Sequence, residues 1–221
     1  MIWERRRDPR TARELREAYN QTHARGILRD RPRFYSMVWA MVRRRMNLRP
    51  DARLLDVGCG GGDFLLAAET AAPVGLDISD VALREARRVA PQAPLILGEG
   101  ERLPLRDRAF DAVVCLGNLE HFLDPRRGVR EMARVLKPSG EAWILLPNSF
   151  YSGSLWRVIR TGYGPDHHQP VDRFGTINEW RDLLEGGGLR VREIFPYNRF
   201  KWWKRLLPRA LAWHFLYRCK V

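Results

Sequence analysis

Residues 54–64 read LLDVGCGGGDF, with four glycines in five positions, Gly58 to Gly62, set behind an apolar run and between the acids Asp56 and Asp63. An apolar run that stops at a glycine reads as a buried strand delivering its chain into a tight turn. Glycines there let the backbone come close to a ligand, and the helix that follows opens with amides free to meet a polar or anionic group. By itself the Gly58, Gly60, Gly62 turn serves equally well as a plain strand-to-helix connection.

Outward from this turn, short apolar runs recur at 72–78, 93–98, 110–117, 140–147 and 189–197, each bounded by Gly, Pro or Asp. Between them lie helical patterns: GDFLLAAETA (62–71), SDVALREARRVA (79–90, with Ser79 or Asp80 as cap) and DPRRGVREMARVLKPSG (124–140), which opens on a capping acid and a first-turn proline. Strand and helix in alternation predict parallel strands joined by crossover helices, an α/β doubly wound sheet. Ligands of such sheets sit beyond the carboxyl ends of the strands, beside the first one, where the glycine turn lies.

At 221 residues and 45% hydrophobic composition the chain suits one well-buried domain. No stretch reaches the roughly 18 uninterrupted apolar residues that cross a bilayer. The opening MIWERRRDPR lacks the apolar centre of a signal peptide, so a cytoplasmic protein is expected. Cys59, Cys115 and Cys219 are far apart and form no metal or disulfide pattern, which leaves them as small buried apolar residues. The net charge is +13, but residues 1–50 hold 14 Arg/Lys against 5 Asp/Glu and residues 190–221 hold 9 against 1. The body between them has 16 against 20, so it is mildly acidic and nucleic acid is not expected as a partner.

Asp77 stands at the end of the second strand, 19 residues after Gly58. An acid at that spacing accepts hydrogen bonds from two ribose hydroxyls, and the spacing suits NAD as well as S-adenosylmethionine. Asp63 occupies the third position of the dinucleotide fingerprint, where Gly or Ala belongs, and Asp56 precedes the first glycine by two residues. A pyrophosphate is poorly served by Asp56; an ammonium group is well served.

The chain here resembles the class I S-adenosylmethionine-dependent methyltransferases, in particular the type 11 group. The resemblance runs from about Leu54 to Tyr197 through four ordered blocks: LLDVGCGGGDF, VGLDIS (74–79), GEGERLPLRDRAFDAVVCLGNLEHFLDP (98–125) and EMARVLKPSGEAWILLPN (131–148). It implies a seven-stranded, mostly parallel sheet whose last strand, in WHFLYRCKV, inserts antiparallel between the fifth and sixth. It also implies S-adenosylmethionine as cofactor, held by Asp56 near its ammonium group, the Gly58, Gly60 and Gly62 turn, and Asp77 on the ribose. Glu99 faces the adenine amino group, Gly100 offers its amide to the ring, and Ile78, Glu101 and Leu116 complete the site. LGNLEHF stands where amino-methylating relatives carry Asn-Pro-Pro-aromatic, so an oxygen or carbon acceptor is expected on a small or amphiphilic molecule, a lipid or lipid-linked glycan among them. An NAD-dependent oxidoreductase and a non-catalytic nucleic-acid or membrane-binding module are the alternatives.

A sulfonium donor needs mainly a well-placed acceptor and one base. His121, after the fourth strand, and His168, in GPDHHQPVDRF, are the candidates; a pocket-wall role for His121 and a loop-ordering role for the His167-His168 pair are equally open. Residues 148–175 read as an acceptor-side insertion. Phe150, Tyr151, Trp156 and Tyr163 line an acceptor pocket in one reading; in the other, SLWRVIR is a surface helix burying Leu155, Trp156 and Ile159. Asp166 and Asp172 are expected to pair with Arg173. Residues 1–50 form a helical arm, TARELREAYNQTHARG and PRFYSMVWAMVRRRMN, which packs on the sheet edge or covers the cofactor. Residues 51–221 form the methyltransferase domain, with KWWKRLLPRALA (201–212) as a basic, Trp-rich element before the last strand. Its tryptophans either pack on the sheet or across a dimer interface, or lie on an anionic membrane surface together with Arg5, Arg6 and Arg7.

Overall fold

The computed structural model describes residues 2–6, 9–27, 31–46, 48–68, 72–164, 169–198 and 208–221. His168 and most of the KWWKRLLPRALA element, residues 201–207, lie outside these. Seven strands form one sheet: β2 (Arg53–Val57), β3 (Ala72–Asp77), β4 (Leu95–Leu97), β5 (Phe110–Leu116), β6 (Leu136–Pro147), β8 (Arg190–Tyr197) and β9 (His214–Lys220), in the order β4-β3-β2-β5-β6-β9-β8. The first five pair in parallel, and β9 lies between β6 and β8, antiparallel to both. This is the doubly wound sheet with an inserted last strand that the sequence predicts.

Period-two alternation divides the strands between two cores. Leu55, Val57, Val113, Cys115 and Ile144 face α5 (Pro125–Val135) and α7 (Ile177–Gly186), which contribute Met132, Val135, Trp180 and Leu184. Leu54, Ala112, Val114, Trp143 and Leu145 face the other way, onto Val38 and Val42 of α2 (Arg31–Arg45) and Met46 just after it. The second half of the amino-terminal arm is thus a wall of the core. Its first half, α1 (Ala12–Ala24), opens on a Thr11/Glu14 capping box. Ser79 caps α4 (Asp80–Val89) and Asp124 caps α5. The helix expected over 62–71 is shorter: α3 spans Asp63–Ala67. All three cysteines are buried and unpaired.

The insertion after β6 departs from both readings of it. Residues 152–161 form α6 (Ser152–Thr161), but none of its side chains is buried; Trp156 and Ile159 face solvent, as do Phe150 and Tyr163 outside it. A helical period identifies an apolar face without saying what covers it. Farther on, Val171–Phe174 is a buried strand, β7, paired antiparallel with β1 (Trp3–Arg6). Arg173 there binds Glu4, Nε to Oε2 at 3.1 Å, and not Asp172 as expected. Its guanidinium also donates to the carbonyls of Phe122 and of Leu123 (3.1 Å), clamping the chain just after β5. Among the described residues no helix is long and apolar enough to cross a membrane.

Trp180 ties α7 to the sheet: fully buried, its Nε1–H donates to the Pro147 carbonyl at 2.7 Å. Trp180→Phe removes the donor together with the pyrrole part of the buried indole and strands that carbonyl, so it should cost at least about 1–3 kcal/mol. In urea denaturation the midpoint falls while the slope is unchanged; an unmoved midpoint shows that the bond contributes nothing.

Candidate active site

A cleft of about 1330 Å³, counted out to its open mouth, lies at the carboxyl ends of β2, β3 and β5. Its floor is the glycine turn. The N–H groups of Gly58 and Cys59 both donate to the Leu76 carbonyl (2.7 and 3.0 Å), so the turn is tied to the next strand by backbone. Asp77 ties it again: Oδ2 accepts from Gly60 N–H and Oδ1 from Ser79 N–H, both at 2.8 Å. A carboxylate oxygen has two lone pairs, so a group of this kind can meet a hydroxyl donor as well as a backbone amide.

The three glycines do different work. Gly60, at φ +52°, has open cleft where a Cβ would stand, so it is the point of close approach. Gly58, at φ +80°, is packed under Asn118, whose Nδ2 donates to its carbonyl at 2.9 Å. Gly62 does not line the cleft: a Cβ there would stand 3.0 Å from the Ala86 Cα, so this glycine lets α3 and α4 touch.

Ile78, Glu99, Gly100, Glu101 and Leu116 all line the cleft, as does His121. Glu101 has a second duty, its Oε1 accepting from Leu123 N–H at 2.7 Å, and burial raises its pKa. A Cβ on Gly100 would collide with the Phe122 ring. His121 is buried, with Nδ1 2.5 Å from the Val171 carbonyl and 3.5 Å from Asp172 Oδ1, and Nε2 3.7 Å from Glu120 Oε1. A carbonyl only accepts, so Nδ1 carries a proton, and in the neutral ring Nε2 holds the lone pair.

The lid over the cleft is α1 and α2, through Leu15, Tyr19 and His23 at helical spacing and through Tyr35 and Trp39. Asn20 pins it down. Ser79 Oγ donates to Asn20 Oδ1 at 2.7 Å, and Asn20 Nδ2 donates to Asp80 Oδ1 at 2.5 Å, joining α1 to the first turn of α4. Asn20, Asn118 and the aromatic lid residues were not identified from sequence. The capping box at Thr11 was the available signal for α1, but nothing local marks which of its faces meets a cleft.

Charge is the most informative property of the site. Asp56, Asp63, Asp77, Glu85, Glu99 and Glu101 line it, and among the described residues no Lys or Arg does, in a chain of net charge +13. Asp56 is the deepest of them. Burial, with the Asp77 charge adding to it, pushes its carboxyl up to about 8. A buried acid so placed favours a cation brought by a ligand. Backbone exposed at Gly60, two carboxylate oxygens at Asp77 and a cation-seeking acid at Asp56 together fit the ribose and ammonium of S-adenosylmethionine. The same acids oppose the pyrophosphate of a dinucleotide.

The sequence profile of the methyltransferase domain family matches residues 55–144. A ubiquinone biosynthesis O-methyltransferase of Coxiella burnetii is 29% identical over 154 residues, 64% of this chain and 64% of that protein. The chain thus spans about two thirds, and no more, of the first curated relatives that it matches. A demethylmenaquinone methyltransferase of Chlorobaculum tepidum is 34% identical over 176 residues, 70% of this chain and 72% of that one. Among solved structures, an S-adenosylmethionine-dependent methyltransferase of Thermotoga maritima superposes with a TM-score of 0.71 at 18% identity, over 92% of this chain and 98% of that one. A methyltransferase in complex with the Trm112 activator of Haloferax volcanii gives 0.72 at 18% identity, over 91% and 96%. At that identity the two structures speak for the fold.

Asp56 also predicts a pH dependence. Its folded pKa lies above its unfolded value, so the stability it contributes is complete below about pH 4 and is withdrawn as pH rises through about 8. Ligand-free protein should therefore lose stability between pH 5 and pH 8.5, roughly the upper part of that window, and Asp56→Asn should flatten the loss. Denaturant midpoints measured across this range check it; parallel wild-type and variant curves rule it out.

Proposed function

The chain belongs to the class I S-adenosylmethionine-dependent methyltransferases of the type 11 group, and from that membership we propose that it methylates an oxygen or carbon atom of a small or amphiphilic acceptor. The observation that carries the reading is the cleft's charge: six carboxylates without a Lys or Arg among the described lining residues, around a glycine turn that leaves backbone open at Gly60. S-adenosylmethionine, when bound, supplies a methyl group already activated on a cationic sulfur. What remains for the protein is binding, orientation and one proton.

Asp56 is suited to hold the ammonium group and Asp77 the ribose hydroxyls, while Glu99 and Gly100 stand where an adenine would be met. His121 keeps its Nδ1 proton on the Val171 carbonyl, which leaves Nε2, 3.7 Å from Glu120 Oε1, as the nitrogen suited to take an acceptor's proton as the bond to the methyl carbon forms. The lid brings Tyr19, Tyr35 and Trp39 to the same cavity, surfaces suited to a flat or apolar acceptor, and among the described residues it adds none of the Lys or Arg an anionic one would need. Two relatives bear on the acceptor atom: one is by name an O-methyltransferase of ubiquinone biosynthesis, the other a demethylmenaquinone methyltransferase. These support an oxygen or carbon acceptor on an amphiphilic molecule.

Two substitutions separate binding from transfer. Asp77→Asn keeps the size of the side chain but removes its charge and one acceptor oxygen, and should weaken S-adenosylmethionine binding at least about tenfold in calorimetric titration. His121→Ala should leave that affinity alone and lower turnover by about 10² to 10⁴. Unchanged affinity in the first variant removes Asp77 from the ribose; full turnover in the second leaves proximity to do the work without a histidine base.

A further inference from the structure

Helix α6 (Ser152–Thr161) is a formed helix that buries none of its residues, and from Trp156 to Thr161 every one is exposed. Gly162, at φ +71°, closes it by donating its N–H to the Val158 carbonyl at 2.8 Å, yet no residue of the helix is buried. Ten residues are fewer than the roughly 12–15 that an isolated helix needs for marginal stability in water, so this helix calls for a partner surface. Of the ten large apolar residues exposed among those described, five fall between 150 and 163: Phe150 (52%), Trp156 (61%), Val158 (42%), Ile159 (77%) and Tyr163 (71%). Single exposed apolar residues need no explanation; five in one segment do.

The helix sorts them. At 3.6 residues per turn, Leu155, Trp156, Val158 and Ile159 fall within an arc of about 160° that also holds Ser152, and Gly153, Ser154, Arg157, Arg160 and Thr161 fill the opposite side. Residues 149–164 contain two arginines and no acid. Neither arginine side chain has an ion-pair partner among the described residues. An apolar face with a Trp, flanked by a Tyr, and a cationic polar face make a helix that lies in the plane of a lipid headgroup layer.

We infer that α6 is the element by which this protein sits on an anionic phospholipid surface. Charge decides between lipid and a second copy. Two-fold apposition of this helix on itself brings four arginines together without an acid, whereas anionic headgroups neutralise them. Position agrees. The helix starts five residues past the carboxyl end of β6, on the edge of the sheet where the cleft lies, so a chain seated through α6 keeps its active site near the bilayer. The inference stands on α6 itself and does not require the proposed reaction.

Co-sedimentation with vesicles tests it, using phosphatidylcholine alone and phosphatidylcholine with phosphatidylglycerol, at roughly 50 mM and then about 500 mM salt. The wild type should pellet with the anionic vesicles at low salt, remain in solution with the neutral ones, and be released as salt rises. Trp156→Ser with Ile159→Ser, and separately Arg157→Glu with Arg160→Glu, should each cut the bound fraction at least about tenfold. Both variants should keep the wild-type thermal midpoint and S-adenosylmethionine affinity, which shows that they are folded. Variants that pellet like the wild type overturn the inference. So does binding abolished only by Trp202→Ser with Trp203→Ser, or a protein that ignores vesicles and shows, by light scattering, a dimer that the α6 variants dissociate. Vesicle binding without S-adenosylmethionine binding would instead count against the proposed reaction and leave α6 standing.

Discussion

One carboxylate holds the ligand-binding end of this fold in shape. Asp77 accepts from Gly60 N–H with one oxygen and from Ser79 N–H with the other, so the turn after β2 and the cap of α4 are fastened to the same side chain. Ser79 in turn caps α4 and donates its hydroxyl to Asn20, which carries α1 over the cleft. Floor, wall and lid are thus linked through three consecutive hydrogen-bonding groups. Asp77 is 7% exposed with both oxygens on backbone amides, and it adds to the burial that raises the pKa of Asp56.

The opposite wall is set by different means. Arg173 on the β1·β7 ribbon donates to carbonyls of the chain after β5, and His121 accepts its orientation from the Val171 carbonyl on the same ribbon. The active-site turn is therefore held between the central sheet and a two-stranded ribbon built partly from the first six residues. The cleft concentrates the mildly acidic character of the body, because carboxylates converge there from the ends of β2, β3 and β4, the start of α3 and the middle of α4.

The sheet and its ligand edge were legible because they rest on local signals. Period-two alternation, glycine after an apolar run and capping residues such as Ser79 and Asp124 act within a few positions of one another. The strand-end residues Asp56, Asp77, Glu99 and Leu116 follow from that order, since parallel strands deliver their carboxyl ends to one edge. Tyr19, Asn20, Tyr35 and Trp39 were not legible, because a lid helix reaches the cleft by packing across about sixty residues of chain, as the Asn20 to Ser79 bond does. The β1·β7 ribbon escaped notice for another reason. Its strands are four residues long, and β7 carries Asp172 and Arg173, whose burial depends on partners that no periodicity reveals. For α6 the pattern located an apolar face correctly and assigned it to the wrong neighbour.

The place of β9 between β6 and β8 imposes an order on biosynthesis. When residue 197 is made, β8 has no strand to pair with, and β6 offers an unpaired edge running from Glu141 to Pro147 through Trp143, Ile144, Leu145 and Leu146. Both edges wait for the next 23 residues, about 1–5 s at ordinary elongation rates. During that interval the nascent chain presents a ready template for intermolecular strand pairing. Expression yield should thus respond to the pace of translation through the last strand, and to chaperone capacity, more than to the strength of any contact in the finished sheet.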